Sequence, residues 1–334
     1  MMLYRIGADW PRSAEQLEEA LAGEPFAECG ASQQKSTGWV PPRGDAHGAL
    51  VESVDGQWIA RFCLETKPVP GDAVRRKTQE AVEQIEKTTG RKPGKKEVRD
   101  LRDDALLALL PQAFPRRSHI TLWIDPQRRW LVLDTGAQGK ADELITSLAR
   151  VAGRGFEVGL LQTAQSPQGA MAAWLADESG DALPHAFNVE RECELKGSGD
   201  EPAVVKFARH PLLTDEVRQH IAEGKLPTKL ALGWAGRVGF VLTQALQIKK
   251  VTFEEGVFDK GAKPGEDDRF DADVALATGE LVGLIGDLIE ALGGEADSTA
   301  VTDQAPAAAG AARTPAPQGA PATVGADQDE GPPF

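Results

Sequence analysis

Cysteine is scarce in this chain. The 334 residues contain Cys29, Cys63 and Cys193 only, odd in number and far apart. That excludes a disulfide scaffold and any CxxC redox or zinc motif. It suits a reducing cytosol, with each thiol expected as a small core residue. His47, His119, His185, His210 and His220 lack metal-ligand spacing, so no zinc site is expected. No run of eighteen apolar residues occurs, which argues against a membrane span. The opening MMLYRIGADW lacks a basic segment followed by an apolar one, so no secretory leader is expected. Positive charge is also in deficit, with 37 Lys and Arg against 51 Asp and Glu and a net charge of −14. Taken alone, this opposes a nucleic-acid partner.

What is present complicates that reading. From Arg75 to Arg102 stand ten basic and five acidic side chains, and Arg116, Arg117, Arg128 and Arg129 follow. From Glu295 onward there are six acids and one base. Local potential, not net charge, attracts a polyanion. The elements read as α+β. Ser13 with Gln16 makes a capping box before a helix. Trp58, Ala60, Phe62 and Leu64 alternate with Ile59, Arg61, Cys63 and Glu65 as a strand that ends at Pro68–Gly71. A helix over about 72–87 is broken by TGRKPGKK, and a second ends near Pro111. HITLWID and RRWLVLD are strands; helices follow over about 140–150 and 169–177. Thr214 is expected to cap a helix, with Asp215 and Glu216 favourable to its dipole. TKLALGW, RVGFVLT and IKKVTFE read as a three-stranded meander. Leu281, Leu284, Ile285, Leu288, Ile289 and Leu292 share one helix face. Beyond Asp297 the Ala/Pro-rich composition is that of a disordered segment.

Few motifs carry chemistry. GRKPGKK lacks the Walker spacing and a preceding strand, so ATP binding is not expected. Gly233, Gly236 and Gly239 suit turns and close packing rather than dinucleotide binding. The acids Glu266, Asp267, Asp268, Asp271 and Asp273 could hold magnesium for a nuclease, or could form a solvated loop capping backbone N–H groups. In LLPQAFPRRSH, Phe114 stands beside Arg116 and Arg117. An aromatic there can wedge against bases while the arginines hold phosphates; the alternative is a core Phe at a helix end.

Several stretches together resemble the RdgC family: STGWVPPRG (36–44), LLPQAFPRRS (109–118), LWIDP (122–126), EGKLPTKLALGW (223–234) and RFDADVALATGELVGLIGDLIEALGGE (269–295). They keep family order up to about residue 295. The resemblance implies homodimers that close into a ring with a positively charged hole, binding double-stranded DNA with little sequence preference and antagonising the RecA recombinase. It implies no catalysis, no cofactor and a nucleoid-associated, cytoplasmic protein. Whether single strands also bind is left open. The implied architecture is a central mixed α/β part (1–71 with 118–155), a helical tip (72–117), an α+β base part (156–296) and a tail (297–334). The implied DNA-binding residues are Arg75, Arg76, Lys77, Arg91, Lys92, Lys95, Lys96, Phe114, Arg116 and Arg117 in the tip. Lys206, Arg209 and His210 join them through VVKFARHPL in the base. Here the chain departs from the family: Ala208 and His210 stand where more basic or amide side chains are usual. Contact there is weaker, or stronger at low pH if His210 protonates. The usual aromatic-basic-Asn opening is missing as well, so a short first strand is expected.

The closing residues resemble another system. Asp327, Asp329, Glu330, Pro333 and Phe334 are similar to the acidic, Pro-Phe-terminated tip of bacterial single-stranded-DNA-binding proteins, with Gly331 and Pro332 as departures. Three uses stand side by side: recruiting a repair protein, competing with DNA for the basic hole, or only solubilising the chain.

Overall fold

A computed structural model describes residues 1–8, 10–199, 202–254 and 266–296, with 266–268 described by backbone alone. Among these residues it forms two antiparallel sheets and seven α-helices, an α+β architecture. The first sheet contains β1 (Met2–Ile6), β2 (Lys35–Val40), β3 (Val51–Val54), β4 (Gln57–Thr66), β5 (Arg116–Asp125), β6 (Trp130–Leu133) and β7 (Val158–Leu160). Its order is β2-β4-β5-β6-β1-β7, with β3 sharing the β4 edge with β2. The first strand is indeed short, at five residues, yet it sits between β6 and β7.

Alternation along β4 explains the layering. Trp58, Ala60, Phe62 and Leu64 meet Ile120, Leu122, Ile124, Leu131 and Leu133 on one face. That face is covered by α1 (Ala14–Leu21) and α4 (Gln138–Ala152) through Leu17, Leu21, Leu144 and Leu148. Half of the predicted capping box forms: Ser13 Oγ accepts from Gln16 N–H at 3.2 Å, whereas Gln16 Oε1 accepts from Arg12 N–H at 2.8 Å, one residue before the N-cap. The opposite face presents Leu3, Ile59, Trp123, Trp130 and Val132 to a second core.

That core belongs to the second sheet, ordered β12-β11-β10-β8-β9. Its strands are β8 (Phe187–Lys196), β9 (Val204–Ala208), β10 (Leu226–Trp234), β11 (Val238–Thr243) and β12 (Ile248–Phe253). The meander is β10-β11-β12, as its sequence predicts, and β9 is an outer edge. The core is closed by α5 (Pro167–Ala176) and by α7 (Glu266–Ala291), whose Leu284, Ile285 and Leu288 are fully buried. Leu284→Ala is therefore expected to destabilise the fold by about 2–5 kcal/mol, read by urea denaturation.

Three local readings are corrected. Thr214 occupies the N-cap of α6 (Asp215–Ala222), but its buried hydroxyl makes no cap hydrogen bond and has no partner among the described residues. The acidic run is no loop, since the helix begins at Glu266 and its first turns contain those acids. Cys63 and Cys193 are core residues, and burial pushes the Cys193 thiol up to about 12. Cys29 is only half-buried, because it sits on the segment that crosses the sheet edge.

Candidate nucleic-acid interface

Between β4 and β5 the chain leaves the sheet as a helical hairpin, α2 (Gly71–Thr89) and α3 (Lys95–Leu109). Pro70 holds φ at −58° immediately before α2. Gly90 ends it in the left-handed region, φ +70°, and its N–H bonds to Glu86 O at 2.9 Å. Gly94 is the N-cap of α3. GRKPGKK is thus the hairpin's turn. Nineteen residues at the helical rise make α2 about 28 Å long. Only Val74, Thr78 and Ala105 are buried in the two helices. Ala81, Val82, Ile85, Val98, Leu101 and Leu106 stay half-buried, because two helices alone cannot enclose an apolar stripe.

The candidate cations fall into three groups. At the hairpin root stand Arg75, Arg76, Lys77, Arg116 and Arg117, with Phe114. At the far end stand Arg91, Lys92, Lys95 and Lys96. The remaining group, Lys206, Arg209 and His210, is on or just beyond β9. Among the described residues, Arg76, Lys77, Lys95, Lys96, Arg116 and Arg209 have no carboxylate within 4.0 Å. Others are partly neutralised. Arg75 pairs with Asp72. Arg91 forks onto Glu97 at 2.9 and 3.2 Å, and Lys92 stands 3.8 Å from Glu86. Lys206 lies 3.3 Å from Glu194, whose carboxyl is pushed down to about 2 by a hydrogen bond from Thr228, then by Lys229. The His210 ring lies 5.5 Å from that of Phe207, with Nδ1 2.6 Å from Pro211 O and Nε2 3.9 Å from Glu216.

Phe114 is 87% exposed, so it is not a core residue at the helix end. The extended backbone after the 3-10 turn Leu110–Gln112 carries it past Leu110, which takes the buried place instead. Leu107 on α3 is also exposed. Arg117 is engaged within its own chain. Its Nε donates to Glu65 at 2.5 Å, it also meets Glu28, and it stacks on Phe26 at 5.3 Å. Glu65 is 1% exposed and accepts from Cys29 N–H at 2.7 Å as well. Arg117 first, and Cys29 N–H second, hold the Glu65 carboxyl below the usual range. Sequence alternation placed Glu65 on the polar side of β4 and missed this anchor. The signal was its register opposite Arg117.

The acids at the start of α7 are partly committed. Asp271 binds Arg43 at 2.5 Å, Arg43 also meets Glu52 at 3.0 Å, and Asp273 lies 3.7 Å from Arg269. Among the described residues no group of three His, Cys, Asp or Glu side chains could hold a metal ion, and no helix is long and apolar enough to cross a membrane. Asp327, Asp329, Glu330, Pro333 and Phe334 lie outside the described residues.

A family model described as "Putative exonuclease, RdgC" matches residues 1–295. A Dechloromonas aromatica protein named recombination-associated protein RdgC is 41% identical over 300 residues, 88% of this chain and 97% of its own. The chain belongs to the RdgC family. Similar proteins of the same name occur in Janthinobacterium (38% over 299 residues, 89% of this chain and 98% of that one) and Cupriavidus necator (39% over 297 residues, 88% and 97%). The match ends where the Ala/Pro-rich segment begins, so the RdgC part of the chain includes the hairpin and both sheets but not the last eight residues.

Proposed function

We propose that this RdgC-family protein binds double-stranded DNA with little regard to sequence, encircles it as a homodimeric ring, and thereby restrains RecA-driven recombination. The observation that supports this most is the exposed Phe114 at the hairpin root, where Arg76, Lys77 and Arg116 have no carboxylate within 4.0 Å among the described residues, in a protein of net charge −14. A hairpin about 28 Å long can track several base pairs of backbone. Its half-buried apolar stripe calls for a second copy. Lysine and arginine neutralise phosphates and release counterions, and no base reading is needed. Closure around the duplex slows dissociation and puts a barrier before a growing recombinase filament. Catalysis has no part in this reading. The acidic tail is a further candidate for recruiting a repair protein.

Fluorescence anisotropy with duplexes of unrelated sequence tests the proposal. Affinity is expected to fall about a thousand-fold or more between about 50 and 200 mM salt, and to vary little with sequence. A strong preference for one site at constant salt would overturn it. The rival reading is a metal-dependent nuclease using the acids of residues 266–273, favoured by the family model's description. Plasmid incubated with magnesium separates the two. Breakage supports the nuclease, and gel retardation of intact plasmid supports the ring. Deleting residues 327–334 is expected to change captured repair partners if the tail recruits, and to raise DNA affinity if it competes.

A further inference from the structure

The second face of the central sheet is covered at both ends and open between them. Register pairs Ile59 with Trp123, Arg61 with Thr121, Cys63 with His119 and Glu65 with Arg117. These side chains share one face. At one end Ile59 and Trp123 pass beneath the second sheet and α7. At the other, the backbone of Pro25 and Phe26 lies so close over Gly38 that a Cβ there has no room, and Cys29 caps Glu65. The notch between holds Arg61, Thr121 and His119.

Arg61 is half-buried, yet among the described residues its guanidinium makes no hydrogen bond and no ion pair. Groups removed from water normally find partners, and a guanidinium more than most. It lines a cavity of about 410 Å³ whose other walls include Trp123, Phe253 and Phe270. Asp134 and Asp273 line the same cavity without engaging it. His119 is exposed and lies three residues, about 10 Å, along β5 from Arg116 at the hairpin root.

We propose that Arg61 and His119 form a phosphate subsite that continues the hairpin's contact along the duplex backbone. It rests on the DNA-binding reading above. The electrostatics agree. Burial, then Arg61, then Arg117, hold the His119 imidazole below its usual range, and a phosphate arriving there offsets the repulsion that its protonated form would meet. The charged groups that act on His119 are Arg61 on β4 and Arg117 on β5, while Asp134 after β6, Asp273 on α7 and Met1 share the cavity of Arg61. The sign follows. His119 is neutral at neutral pH, a bound phosphate favours its protonated form, and binding takes up a proton. Affinity therefore rises as pH falls.

The test uses the full-length protein and one duplex. Arg61→Gln is expected to lower the log–log salt slope by about one and the affinity about five- to tenfold. Thr121→Glu, which sets a carboxylate opposite Arg61, is expected to weaken binding similarly, so a folding defect in either variant does not decide the matter. His119→Gln is expected to match the wild type near pH 7.5 and to lose part of the gain in affinity seen near pH 5.5. If the wild type binds duplex while Arg61→Gln and Thr121→Glu keep its slope and affinity, the subsite is wrong and the DNA reading stands. If the wild type does not bind duplex at all, both fall.

Discussion

Phe114→Ser is expected to weaken duplex binding about tenfold while melting temperature and oligomeric state stay those of the wild type. The two halves of this result have separate causes. At 87% exposure the ring covers almost nothing of its own chain, and substitutions at such places usually shift stability by no more than about 0.5 kcal/mol. An aromatic stacked on an exposed base contributes about 1–3 kcal/mol, about five- to 150-fold in affinity, and the tenfold expected for a ring wedged against a duplex lies at the lower end of that range. Its neighbours Pro115 and Arg116 are exposed too, so the side chain is presented with a cation for the adjoining phosphate. Anisotropy at fixed salt, with sedimentation on the same samples, reads both halves. If binding is unchanged but the proposed dimer dissociates, Phe114 holds the second copy and not DNA. If neither changes, it has no part in the interface. Leu107→Ser, on α3, is the comparison for a merely apolar exposed residue.

Arg116 and Arg117, adjacent in sequence, are expected to behave in opposite ways. Arg116→Met should leave stability alone and reduce the salt slope of DNA binding by about one, because its charge faces solvent. Arg117→Met should lower the melting temperature by several degrees, because it leaves Glu65 as a buried carboxylate with only the Cys29 N–H. Acid adds a second signature. The Glu65 carboxyl is held below its ordinary value in the folded state, and an unfolded glutamate protonates near about 4.3. Its contribution is complete above that pH and is lost as pH falls through the folded value. Wild-type stability should therefore drop more steeply below about pH 4.5 than that of Arg117→Met, which has already lost the pair. Denaturant titrations at neutral and acid pH measure this. Equal stability of the two arginine variants would remove Arg117 from its structural role and return it to the DNA-facing set.

Much was legible locally. The Ser13 helix cap, the break at Gly90–Gly94, the meander from Leu226 to Phe253 and the apolar face of α7 each rest on interactions within a few residues or one short turn. The RdgC resemblance belongs with these, because its stretches are contiguous in the chain. Other features depended on partners far away in sequence. The place of β1 between β6 and β7 depends on residues more than a hundred positions distant. Glu65 is buried because Arg117 arrives from the other side of a 49-residue excursion. The helix α7 reaches back through the acidic run, where Asp271 finds Arg43.

By itself, the order of residues determined most of the helices, the strands β4, β5, β6 and β10 to β12, the basic hairpin and the family, since periodicity, capping and turn chemistry act over a few residues. Only the tertiary structure decided which cations keep a free charge and which are bound to carboxylates, that Phe114 faces water, and that Arg61 stands in an open notch. The reason is that burial and pairing are properties of surfaces brought together, and a side chain's neighbours across a sheet are not written beside it in the chain.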